Sequence, residues 1–451
     1  MSQFDTIIKG ATLVTPDGPV EKQLGIAGGK IVAIEAELTG SSNQEIVADR
    51  AIVIPGIIDS HVHINEPGNT DWEGFETGSK AAVAGGISCL FDMPLNSIPT
   101  TTTVDAFEVK KSCALKNCIT DFALWGGLIP GNIENLEPLY EAGAIGFKAF
   151  MSNSGLDEFP YSDHGTLKSG MQMISKLPGM RLALHAEDNE LTTRLSSEAI
   201  LRRTTTAKDF LNTRPIEAEL LAIQEAIDLA GETECPIHIV HVSCPEGIDL
   251  ITKAKAMGLD ITVETCPHYI CMTSKALDSL GPLAKCAPPL RGEGTVVALR
   301  EKIRSHEIDT IGSDHSPCPA AMKQGATFFD AWGGISSLQH SGPLTYSLLN
   351  EELQIPLGQT AKLMSEKPAE RFGLANKGSL KVGMDADLII ANFRNKAPIT
   401  TESLYYKNPH SPYVGATPSF SVETTMIRGT VVFRNGKFQG GFRGQFIRPT
   451  R

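Results

Sequence analysis

The sequence predicts an α/β protein, a (β/α)8 TIM barrel joined to a small β-sandwich built from both chain termini. Three observations carry this: eight short apolar runs recur through the middle of the chain, helical spacing fills the stretches between them, and both ends have the texture of β structure. The eight runs are residues 57–63, 87–93, 119–125, 145–151, 182–186, 237–242, 261–265 and 310–314. From His63 to Asp314 is 251 residues, about 36 per strand–helix unit over seven units, which suits such a barrel.

In chain order, residues 5–8, 12–15, 24–27 and 30–34 are rich in Ile, Val and Thr and are separated by Gly, Pro and Asp turns, the pattern of antiparallel hairpins. The middle follows, and a stretch such as 216–229 (IEAELLAIQEAIDL) carries apolar residues at helical spacing with acids opposite. Residues 386–391, 421–428 and 429–433 return to strand-like composition, with Gly383 and Asn435-Gly436 marking turns. The expected division is therefore 1–52 and 376–451 for the sandwich and 53–375 for the barrel. A doubly wound open sheet is the rival, but no Gly-rich phosphate fingerprint follows the first strand.

Composition narrows the function. Lys and Arg number 40 against 52 Asp and Glu, a net charge of −12, so binding to phosphate backbones or anionic lipid has no general electrostatic basis. With 41% hydrophobic residues the chain is no disordered polymer. The first ten residues carry Asp5 and Lys9 and no apolar run, and nine cysteines form no CxxC pair; a cytoplasmic protein with reduced thiols is expected, without nucleic-acid or membrane partners.

His61 and His63 end the first run. Residues two apart on a strand share a face, so both imidazoles can meet at the barrel mouth. With 11 histidines in 451 residues such a pair needs context. His185, His241 and Asp314 supply it, each at the end of another run, and strand ends of a barrel gather at the face where active sites form. Imidazole and carboxylate are the ligands zinc and similar ions prefer, although a helix cap for Asp314 and hydrogen-bonded barrel histidines are the plain alternatives. His238 is expected to face away and to be structural. Lys148, inside an apolar run, cannot stay an unpaired ammonium in a barrel interior. Either its stem reaches solvent, or the neutral amine reacts with carbon dioxide to give a carbamate able to bridge two metals.

Taken together, these residues resemble the amidohydrolase superfamily over nearly the whole chain. The matching segments are Pro55-Gly-Ile-Ile-Asp-Ser-His61-Val-His63, the Gly-Phe-Lys148 run, the singly placed His185 and His241, and Ser313-Asp314-His315, flanked by residues 29–34 and 377–388. Within its cyclic amidohydrolases, Asn65-Glu-Pro-Gly68, residues 72–78, Met93-Pro-Leu-Asn96, Lys285-Cys-Ala-Pro-Pro289, residues 313–319 and Ala331-Trp-Gly-Gly-Ile335 are similar to the allantoinase group. Dihydroorotases place an arginine two residues after the His pair, where Asn65 stands. Hydantoinases and dihydropyrimidinases place a tyrosine five residues after the lysine, where Asn153 stands. Lack of that arginine argues against an anionic carboxylate substrate, while neutral allantoin suits amide partners.

The resemblance implies metal-dependent opening of the allantoin ring to allantoate, a step of purine-nitrogen breakdown, with hydantoinase or dihydropyrimidinase activity as the alternative and dihydroorotase third. It implies that His61, His63 and Asp314 hold one divalent ion and His185 and His241 a second, that N6-carboxylated Lys148 bridges them, and that Asp314 is the catalytic base. Zinc is the first candidate metal, with cobalt, manganese or nickel compatible. Asn65, Asn96, Cys286, Ser316 and Gly334 are the expected substrate contacts. Glu73 and Glu76 are expected to be supporting or surface groups, and the assembly a homotetramer. A non-catalytic homologue that lost its metals is the remaining class, disfavoured because all six ligand positions are filled.

Overall fold

The computed structural model describes residues 3–450. Its centre is a parallel barrel whose eight strands are Ile57–Val62, Ile87–Asp92, Asp121–Leu124, Phe147–Phe150, Leu182–His185, Ile237–Ile239, Ile261–Thr265 and Thr310–Ile311. Each falls within one of the eight apolar runs. The third strand is split: Asp121–Leu124 pairs with Ile87–Asp92, and the two-residue strand Gly126–Gly127 pairs with Phe147–Phe150. The barrel closes between first and last strands, where Val62 bridges His315 and the His63 amide donates to the His315 carbonyl at 2.7 Å.

Helices cover the strands, and Ile216–Thr233 shows why. It buries Ala218, Ala222, Ile223, Ala226, Leu229 and Ala230, the 3.6-residue stripe visible in its sequence, and leaves Glu217, Asp228 and Glu232 outward, while Glu219 is buried against Ser243 and Arg291. Where the chain turns from strand to helix, side-chain oxygens take the orphan amides. Thr103 accepts from Ala106, and Asp188 from the Leu191 amide at 2.7 Å. No helix of the described residues is long and apolar enough to cross a membrane.

The chain ends build two further sheets. One has the order Lys30–Glu35, Gln23–Ala27, Phe4–Lys9, Ser42–Val47. The other runs Lys437–Phe438, Thr430–Arg434, Ser421–Ile427, Leu388–Asn392, Ile52–Pro55, Thr12–Thr15, Gly18–Glu21, so strands from both termini share one ladder. Ile8, Leu24, Ile26 and Ile31 of the first sheet pack with Leu13, Val53, Leu388, Ile390 and Met426 of the second. Asn435 and Gly436, both at positive φ, turn between Arg434 and Lys437, as their sequence asks.

Two expectations need correction. Residues 3–50 hold six strands rather than four, and the pairing is not all antiparallel: Phe4–Lys9 pairs parallel with Ser42–Val47, and Thr12–Thr15 with Ile52–Pro55. Ser42–Val47 escapes composition because its outward face is polar, with only Ile46 buried. The sixth and eighth runs also leave the ladder early. His241 and Asp314 lie beyond the last paired residues with φ of 42° and 45°, a left-handed backbone that no β pattern anticipates.

Candidate active site

His61, on the last turn of the first barrel strand, points Nε2 at Asp314 Oδ1, 3.2 Å away, and His63 Nε2 lies 3.5 Å from the same oxygen. The ligand atoms of these three residues all lie within 4.8 Å of one another. Across the mouth, His185 Nδ1 and His241 Nε2 are 3.0 Å apart. The rings of His61 and His241, 5.4 Å between centroids, join the two groups. Lys148 is fully buried, its Nζ has no hydrogen-bond partner, and its charge acts on His63, His185 and His241. The six positions picked out in the sequence therefore converge.

Burial lowers the histidines: His63 falls to about 4, His185 below its ordinary value and His241 well below it, which leaves lone pairs free at neutral pH. Burial alone would raise the Asp314 carboxyl, but the His61 and His63 imidazoles outweigh it and hold the group at about 2. Burial also lowers the Lys148 ammonium, to about 8. Facing lone pairs, an ionised carboxylate and an unpartnered buried amine make a poor hydrogen-bonding cluster and a good set of cation ligands. The donor set fits divalent metal.

Four residues that the sequence reading passed over orient this set. Glu264 accepts from His61 Nδ1 at 2.7 Å and from Ser60, which leaves His61 Nε2 as the free lone pair. Glu187 accepts from His185 Nε2 at 2.9 Å and so frees Nδ1. Arg214 is ion-paired to the same Glu187 oxygen. Phe150 stacks on the His185 ring at 4.5 Å and 8°. A buried glutamate in the apolar run 261–265, and an acid two residues after His185, were the available signals. His238 stays out of the cluster, with Nδ1 2.8 Å from Thr262 Oγ1.

A cavity of about 480 Å3 opens over the cluster. His61, His63, His185, His241 and Asp314 line its floor, and Asn96, Cys286, Ser316, Arg214 and Gly334 are on its wall. Asn65 is fully buried and is not among the lining residues; its amide donates to the Pro317 carbonyl at 3.4 Å. Arg214 brings to the wall a cation that the argument from Asn65 did not foresee, although Glu187 matches its charge. Glu73 is buried beside His315, 3.5 Å from Nε2, whereas Glu76 is exposed and pairs with Lys80. A larger open groove, about 910 Å3 beside the hairpin at 15–22, contains no such ligand set among the described residues.

Residues 52–432 match the model of the amidohydrolase family. The chain belongs to that family. Membership makes it a metal-dependent hydrolase, in agreement with the His-His-Asp trio. Among relatives, an allantoinase of Solibacter usitatus is 43% identical over 445 residues, 99% of this chain and 97% of its own. An allantoinase of Deinococcus radiodurans is 42% identical, covering 99% of both. Among family structures, the L-hydantoinase (dihydropyrimidinase) of Arthrobacter aurescens superposes with a TM-score of 0.96 at 33% identity, over 99% of this chain and 100% of that one.

Proposed function

We propose that the protein hydrolyses the cyclic amide of allantoin to allantoate, and that its six convergent side chains are the metal ligands: His61, His63 and Asp314 for one ion, His185 and His241 for the other, with Lys148 between. The observation that carries this is the buried Lys148 Nζ, without a hydrogen-bond partner and with its charge acting on His63, His185 and His241. The allantoinase relatives, similar end to end, support the substrate. A neutral Lys148 amine adds through its lone pair to the carbon of carbon dioxide, and one N–H proton leaves to solvent. The resulting carbamate would be an anionic oxygen donor able to help hold the ions. Zinc suits the donor set, as do cobalt, manganese and nickel.

When bound, divalent ions polarise the ring carbonyl and bring the pKa of water from about 15.7 towards 7. Asp314, ionised at neutral pH, takes a proton from the attacking water at a carboxylate oxygen. A carbon–oxygen bond forms, the ring carbon–nitrogen bond breaks, and Asp314 returns the proton to the departing nitrogen. Glu264 and Glu187 hold the histidine rings throughout. Asn96, Ser316, Cys286 and the Gly334 backbone meet the ring and its ureido arm from the wall, with Asn65 supporting the Pro317 turn behind them.

The test is a substrate panel on metal-reconstituted protein: allantoin, hydantoin, dihydrouracil and dihydroorotate. Allantoin is expected to be opened with a kcat/KM about tenfold or more above the others. Equal or faster turnover of hydantoin or dihydrouracil replaces the reading with a hydantoinase or dihydropyrimidinase, a reading favoured by the superposition on the Arthrobacter enzyme. Light scattering tests the homotetramer that this group implies.

A further inference from the structure

Lys285 and Lys323 are both buried, and neither has a carboxylate partner among the described residues. The Lys285 ammonium donates to the carbonyls of Phe328, Phe329 and Ala331 at 2.8, 3.0 and 2.5 Å. That of Lys323 donates to Pro282, Trp332 and Gly334 at 3.1, 3.1 and 2.5 Å. An ammonium has three donors. Both are therefore saturated by backbone and have none left for a substrate. Five of the six carbonyls belong to the segment 328–334, in which Phe329, Asp330, Ala331, Trp332, Gly333 and Gly334 all line the cavity over the cluster.

Other contacts tie the same segment to the site. The Gly334 amide donates to the Lys285 carbonyl at 2.8 Å, and the Ser316 amide, two residues from Asp314, donates to Ile335 at 2.9 Å. The Lys285 ammonium also lies 4.8 Å from the ring centre of Phe210 and 5.4 Å from that of Phe328. Phe210 comes from the helix Ala207–Asn212, so one cation gathers a helix and two loops at the rim. Burial lowers both ammonium groups to about 8, which leaves them charged at neutral pH.

We infer that Lys285 and Lys323 are positioning residues for the reaction: their ammonium groups bind the carbonyl oxygens of residues 328–334 and thereby set the cavity wall against which the substrate is held. The role rests on the reading of this cavity as the substrate site. Loss of either cation leaves carbonyls that converge without a donor, and the wall relaxes away from the bound ring.

The experiment compares metal-loaded Lys285→Met and Lys323→Met with the parent enzyme. Hydrogen exchange of the segment 328–335 is expected to quicken about tenfold, while that of the barrel strands holds. KM for allantoin is expected to rise about tenfold with kcat falling less than about threefold, and metal content stays at the parental level. In Lys285→Ala, added methylammonium restores KM by entering the vacated carbonyl cage, whereas tetramethylammonium, with no N–H donor, does not. Unchanged exchange together with KM within about twofold in both methionine variants overturns the inference, as does loss of metal with KM unchanged. If Lys285→Met does not fold, Lys323→Met decides alone. Should the parent enzyme not open allantoin, the functional reading fails, and the exchange comparison still judges the lysines.

Discussion

The Lys148 amine touches no hydrogen-bond acceptor, yet its charge reaches three of the histidines around it. A side chain kept there for packing alone would be better served by methionine. Lys148→Ala is therefore expected to remove activity below detection and to lower the metal content measured by elemental analysis, with partial recovery on adding a short carboxylic acid. Two retained metals with undiminished turnover would rule out the carbamate. Cys286 gives the opposite case. Burial pushes its thiol up to about 12, so a raised pKa leaves it protonated throughout the working range. Iodoacetamide at pH 8 is expected to leave activity intact, and the pH–rate profile to show no thiol limb between about 7 and 10. At this scale the sequence was readable where parity holds, as at His61 and His63. It was unreadable where a partner comes from a distant segment: nothing near His61 announces Glu264, and nothing near Glu187 announces Arg214.

Strand ends, more than strands, place the chemistry. Asn65, Asn96, His241 and Asp314 all have positive φ, a backbone state that costs a non-glycine residue about 1 kcal/mol or more and persists where surroundings enforce it. Composition and periodicity locate the strand but not the twist that follows it, which is why the apolar runs overshoot the ladders at residues 240–242 and 312–314. The loop after the eighth strand obeys the same close tolerance. A Cβ on Gly334 would lie 2.4 Å from the Ser316 carbonyl oxygen, so Gly334→Ala must displace one segment or the other. It is expected to cost about 1–3 kcal/mol in denaturant unfolding and to raise KM, since both residues are on the cavity wall.

Across the whole molecule, one buried charge cluster fastens the barrel to the terminal sheets. Lys377 donates to Asp121 at 2.7 Å, at the start of a barrel strand, and to Asp387 at 2.5 Å, and Arg428 completes the set on Asp121. Lys377→Met would leave the buried Asp387 carboxylate without its cation, beside an Asp121 held by Arg428 alone. A loss of about 3–5 kcal/mol in denaturant unfolding is expected, with the metal cluster unaffected in whatever fraction stays folded. The alternation of strand and helix made the barrel legible from sequence, whereas this fastening joins residues hundreds of positions apart and leaves no local trace.

The shared ladder of the two chain ends has a consequence for synthesis. Ile52–Pro55 obtains its antiparallel neighbour only from Leu388–Asn392. At about 5–20 residues per second, translation of the intervening barrel takes on the order of 20–70 s. Throughout that interval the backbone edge of Ile52–Pro55 that Leu388–Asn392 covers in the folded protein has no native partner, so this ladder closes only late in synthesis.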